Sequence, residues 1–116
     1  MEPIFDRDGK AISWLRNNDI YNLNGDHLAV LNGENVYNHH GEHLGIFRNG
    51  LFRDHNGGVV AFQRGGSGGP VLPITSVPPV PPVPAVPPVP AVPSVPPIPS
   101  VPLLSWGIEW HHFINS

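Results

Sequence analysis

The chain has 116 residues, a formal net charge of -3, six Lys and Arg, nine Asp and Glu, and no cysteine. The basic residues are scattered, which argues against specific nucleic-acid binding, and the lack of cysteine removes disulfides and thiolate metal sites. All six basic residues and eight of the nine acids precede residue 66, whereas fourteen of the sixteen prolines lie between Pro73 and Pro102, so the folding unit is expected at residues 1–65.

The opening Met-Glu-Pro-Ile-Phe-Asp-Arg-Asp lacks the basic and apolar regions of a secretory signal, and a cytoplasmic location is expected by default. From Phe5 the sequence repeats. Phe5, Tyr21, Tyr37 and Phe52 align at spacings of 16, 16 and 15, each preceded by an aliphatic residue: Ile4, Ile20, Val36, Leu51. Four residues on stand Gly9, Gly25, Gly41 and Asn56; aliphatics follow at Ile12, Leu28, Leu44 and Val59, and large apolar residues at Leu15, Leu31, Phe47 and Phe62. Between these last two columns runs a set of small residues, Ser13, Ala29 and Gly45, with Val60 in the fourth copy. Matching columns in four copies mark an internal repeat.

Turn chemistry gives the element type. Asp8-Gly9, Asn24-Gly25, His40-Gly41 and Asn56-Gly57 lie within the repeats, and Asn17-Asn18, Asn32-Gly33 and Asn49-Gly50 lie between them. Such dipeptides tolerate positive φ and predict type I′ hairpin turns. Eight strands follow, at about 3–7, 10–16, 19–23, 26–31, 35–39, 42–48, 51–54 and 58–64. One hairpin is marginal in water; four related by rotation bury a common face and protect their edges. A linear array is the alternative, but it requires capping repeats.

The aromatic column Phe5/Tyr21/Tyr37/Phe52 and the glycines Gly9, Gly25 and Gly41 resemble the bacterial four-fold β-flower family. The resemblance covers residues 3–65. It implies an all-β fold of four β-hairpin petals in a pseudo-four-fold ring, and no catalytic residues. The fourth copy departs from the pattern by one residue, which predicts imperfect closure there.

Residues 66–70 read as a glycine-rich hinge. In the arm that follows, residues 71–103, an aliphatic residue returns every third position from Val71 through Ile74 and Val77 onward, ending at Leu104. The line includes Val80, Val83, Val86, Val89, Val92, Val95, Ile98 and Val101, and a proline follows each member from Val77. A polyproline II helix has three residues per turn, so this period draws one straight apolar stripe. Proline at this density rules out a transmembrane helix. From Val77 to Leu104 the arm spans about 84 Å at about 3.1 Å per residue, against a radius of gyration of about 11 Å for a 65-residue domain. It either projects or bends back, with Ser76, Ser94 and Ser100 as the mildest places for a bend. A plain spacer gains nothing from an uncharged aliphatic line, so the stripe Val77–Ile98 is expected to dock, most economically on another copy.

The tail, residues 104–116, alternates Leu104, Trp106, Ile108 and Trp110 like a strand, while Trp106, Trp110, Phe113 and Ile114 also fit a helical face. Trp106, Ile108 and Trp110 are the expected anchors, docking on a β domain, in trans if the arm stays straight. His39, His40 and His43 form the one local histidine cluster, with His111-His112 near the end. Ring symmetry is expected to spread such residues to separate petals, so no metal site and no cofactor are expected. Asp6, Asp8, Asp26, Glu34, Glu42 and Asp54 show no spacing that singles out an acid/base pair. No phosphate-cradling loop or nucleophile motif is present. The expected function is therefore non-catalytic: a structural, self-associating module forming a homo-oligomer. The alternatives are a proline-rich ligand for an SH3- or WW-like domain and a small metal- or ligand-binding protein.

Overall fold

A computed structural model describes residues 1–116. Eight antiparallel strands close into a barrel in sequence order: β1 Glu2–Phe5, β2 Ala11–Arg16, β3 Asp19–Asn22, β4 His27–Asn32, β5 Asn35–Tyr37, β6 His43–Arg48, β7 Leu51–Arg53 and β8 Val59–Phe62. β1 meets β8 at Phe5 and Phe62, which closes the barrel. One helix, α1, spans Trp110–Ile114.

The pairing register corrects the alignment of the fourth copy. Ile4 faces Ser13, Ile20 faces Ala29, Val36 faces Gly45 and Phe52 faces Ala61. All four copies therefore keep a strict sixteen-residue period, and each carries a bulge at the same place: Ile4/Phe5, Ile20/Tyr21, Val36/Tyr37 and Phe52/Arg53. Gly57, with φ +86°, and not Asn56, takes the left-handed position. Arg53 thus stands where the other copies have Phe5, Tyr21 and Tyr37. Phe52 belongs to the aliphatic column, and the ring closes in frame, though through a single residue pair, Phe5 with Phe62, where other neighbouring strands share three or four.

Two kinds of turn alternate, where one kind was expected. At Asp8-Gly9 and its equivalents only the glycine has positive φ. The amide of Gly9 donates to the Asp6 carbonyl, and the Asp6 carboxylate accepts the amides of Asp8 and Lys10. Asn22, Asn38 and Asp54 cap their turns in the same way. These turns owe their shape to a side-chain cap. The links between petals are two-residue turns, with positive φ at Asn17, Gly33, Asn49 and Gly50. Asn32 still pairs with Asn35, so the second of these turns is Gly33-Glu34.

The small column explains how the ring holds a plug. Ser13, Ala29, Gly45 and Ala61 face the buried Ile4, Ile20, Val36 and Phe52, and α1 packs into the space they leave. A Cβ on Gly45 would lie 2.6 Å from the Phe113 ring. The Trp110 indole N–H donates to Ser13 Oγ at 3.0 Å. Five residues are too few for a helix to persist on propensity; burial of Trp110, Phe113 and Ile114 holds it.

The arm does not project. It encircles its own ring, fastened by four backbone hydrogen bonds: Ser76 N–H to the Gly9 carbonyl, Ala85 to Gly25, Ser94 to Gly41 and Leu103 to Gly57, at 2.8, 2.8, 2.8 and 3.0 Å. The ring advances sixteen residues per petal while the arm advances nine. In the polyproline II form expected from the sequence, nine residues are three turns, which would bring every fastening to one face of the arm. From Ser76 to Leu103 such a chain spans about 84 Å. Three quarters of the rim of a disc 37 × 36 Å across is roughly 86 Å, taken as an approximate circle of the measured Cα extents, so length and circumference match. The arm thus bends back onto its own domain, and two of the serines expected to allow a bend, Ser76 and Ser94, sit at fastenings.

The tail also docks in cis. Trp106 bridges Val59 in parallel, the Val59 amide donates to the Ser105 carbonyl, and the Gly107 amide donates to the Val59 carbonyl. The tail is strand-like at Trp106 and helical from Trp110, so each periodicity read in the sequence describes part of it.

Candidate interaction surface

The fastening geometry decides where the aliphatic stripe points. At each corner an arm carbonyl (Ile74, Val83, Val92 or Val101) presses onto a turn glycine, and the amide two residues later donates to that glycine's carbonyl. Only a residue other than proline can donate there. With the backbone face turned inward, the stripe faces out. Val77, Val80, Val83, Val86, Val89, Val92, Val95 and Ile98 are 89–95% exposed. They form an uncharged apolar rim around a disc about 20 Å thick.

The tail anchors are spent within the chain. Trp110 is buried, and its ring meets Phe52 edge-on at 5.3 Å. Trp106 is half-buried, with its ring 6.2 Å from Phe62 and the Arg7 guanidinium 5.9 Å away. Ile108 is 42% exposed, and its amide donates to Asp54 Oδ2 at 3.0 Å. Of the expected docking residues, the arm members form one continuous surface, and Trp106 and Trp110 do not belong to it. Covering the ring's own core accounts for them.

Arg53 was not singled out in the sequence. It is buried, and its guanidinium donates to the carbonyls of Gly57, Leu103 and Gly68 at 2.7, 2.7 and 2.8 Å. Gly68 precedes the arm and Leu103 is its last fastening, so Arg53 buckles both ends of the belt. Burial, with the Arg48 charge nearby, lowers its pKa from the usual arginine value. The strict sixteen-residue frame holds the signal: an arginine in a column of aromatics.

The histidines come together across petals in pairs, against the expectation that symmetry separates them. His27 Nδ1 lies 2.8 Å from His39 Nε2, and His43 Nδ1 lies 2.9 Å from His55 Nε2. The two pairs are equivalent by the sixteen-residue shift. Asp19 Oδ1 accepts from His27 Nε2, and Asn35 Oδ1 from His43 Nε2, both within 2.9 Å. Each outer bond leaves the Nδ1 lone pair to accept from the neighbouring ring. Burial and the partner imidazole lower the pKa of His39 and of His43, with His40 adding to the effect at His39. His40, His111 and His112 stay exposed and outside these pairs.

Three or more His, Cys, Asp or Glu groups gather nowhere in a metal-holding arrangement. Asp6 and Asp54 cap turns, and Glu34 pairs with Arg48 at 2.6 Å. No helix is long and apolar enough to cross a membrane.

A family model described as "4-fold beta flower protein" matches residues 2–114. Comparison with curated proteins and with solved structures returns no match.

Proposed function

The chain belongs to the 4-fold beta flower family, whose description names a shape and no reaction, and from that premise we propose a non-catalytic structural module that self-associates through its rim. The observation that carries this reading is the outward aliphatic line on the belt, 89–95% exposed from Val77 to Ile98. Contiguous apolar surface on this scale marks an interaction site. No charge lies between Gly65 and Ile108, so the matching surface is itself uncharged and apolar, and another copy supplies one.

Energetics favours several contacts at once. Between two fastenings the rim presents three aliphatics, for example Val86, Val89 and Val92. Full burial of a valine stabilises by about 1.5 kcal/mol, so one edge contributes roughly 4–5 kcal/mol. That is at the low end of the cost of joining two molecules, about 4–15 kcal/mol. A single edge does not hold a dimer, whereas the three belt edges of a disc, each bounded by two fastenings, together hold a lateral array. Sedimentation velocity across a concentration series tests this. Wild type is expected to form large, concentration-dependent species, and Val83→Ser/Val86→Ser/Val89→Ser to shift them toward monomer. A wild type that stays monomeric throughout overturns the proposal, as does a variant that sediments like wild type.

A further inference from the structure

The plug fills only half of the ring. Ile12, Leu28, Leu44 and Val60 are equivalent positions at sixteen-residue spacing. Leu44 and Val60 are 3% and 1% exposed under α1, whereas Ile12 and Leu28 are only half-buried. Over these two opens a cleft of about 460 Å3, walled by Trp110 and Ile114 of α1. That is roughly fifteen waters' worth of space at about 30 Å3 each, within the range of small-molecule sites.

The mouth of the cleft has a sign. Asp6, Asp8 and Glu109 line it. Asp6 commits one carboxylate oxygen to its turn, and Asp8 and Glu109 are solvent-exposed. The one cation there, Arg7, donates to the Gly107 carbonyl at 2.7 Å and leans toward Trp106. His111, the other titratable group at the mouth, is exposed. An aliphatic floor beneath an excess of carboxylates is complementary to an apolar body carrying a positive end.

We propose that this cleft beside α1 is a binding site for a small amphiphilic organic cation, of the alkylammonium class. The apolar body covers Ile12 and Leu28 as α1 covers Leu44 and Val60, and the ammonium sits among Asp6, Asp8 and Glu109. The site lies on the helix face and is separate from the rim.

The test uses the full chain with three probes of equal chain length: n-octylammonium, n-octanol and octanoate. Two-dimensional NMR follows the Trp110 indole N–H and the Leu28 amide. n-Octylammonium is expected to shift both saturably, n-octanol more weakly, and octanoate least. Asp8→Asn/Glu109→Gln changes two exposed side chains that make no hydrogen bond in the fold. It is expected to weaken n-octylammonium about fivefold to tenfold, as loss of two exposed ion pairs predicts, and to remove the preference over octanol. Leu28→Trp, which fills the floor, is expected to abolish the Trp110 shift. Equal binding of octanoate, an unchanged affinity in the double variant, shifts that do not saturate, or shifts confined to rim valines would each overturn the proposal.

Discussion

Gly25→Ala separates the two duties of a turn glycine. Gly25 has φ +91°, and a Cβ built on it falls 2.5 Å from the Val83 carbonyl oxygen. Alanine in the left-handed region costs about 1–2 kcal/mol. Pushing Val83 away also breaks the Ala85 N–H bond to the Gly25 carbonyl, an interaction whose loss costs about 0.5–1.5 kcal/mol. Gly33 is the matched control: φ is +61° and nothing lies within 4 Å of a built Cβ. Gly33→Ala is therefore expected to lose about 1–2 kcal/mol, and Gly25→Ala about 1 kcal/mol more, in urea unfolding with the two-state slope held in common. Amide exchange at Ala85 is expected to rise steeply in Gly25→Ala and to stay unchanged in Gly33→Ala. Equal losses in the two variants, with Ala85 equally protected, would refute the argument that turn glycines serve as seats for the arm.

Ala85→Pro removes one fastening donor while keeping the arm's backbone preference, and is expected to cost about 1 kcal/mol in urea unfolding; Ala91→Pro, which fastens nothing, is expected to be neutral within about 0.5 kcal/mol. Arg53→Met removes the buckle. With charged hydrogen bonds worth about 1.5–3 kcal/mol each and three carbonyls losing a donor, a loss of about 4–5 kcal/mol, the low end of the sum, and faster exchange at Leu103 are expected by denaturation and NMR. Stability is expected to fall with acid. His39 and His43 have folded pKa values below the ordinary 6.5, so the unfolded chain binds their protons first. Their contribution is complete above pH 6.5 and drains as pH falls through the folded values. Urea midpoints at pH 7.5 and pH 5 measure it, and His39→Asn/His43→Asn is expected to flatten the slope.

Much of the ring was legible in the sequence because turns and apolar columns are local. The four hairpins, their order and the role of Gly9, Gly25 and Gly41 follow from spacing alone. The error at the fourth copy has a specific origin: Phe52 is aromatic, as are Phe5, Tyr21 and Tyr37, and aligning by aromaticity moved the frame by one residue. Aligning by glycine instead gives Gly9, Gly25, Gly41 and Gly57, completes the small column with Ala61, and exposes Arg53 as the odd member. The belt was missed because the three-residue valine period masks a weaker nine-residue one. Ser76, Ala85, Ser94 and Leu103 recur every nine residues as donors among prolines, but Ala91 and Ser100 interrupt the pattern. The outward face of the valines was not legible, since a period fixes that residues share a line and not which side of the line is dry. The histidine pairs join residues twelve apart on neighbouring petals, a relation that depends on the ring's closure.

Hydrogen exchange along the arm tests the belt most directly. Prolines silence many positions, so the remaining amides form a sparse code. The account predicts slow exchange at Ser76, Ala85, Ser94 and Leu103, and fast exchange at Val80, Val83, Val86, Val89, Val92 and Val95 in dilute monomer. Uniformly fast exchange across all ten amides would contradict it, because an arm free of the ring holds no rim in place.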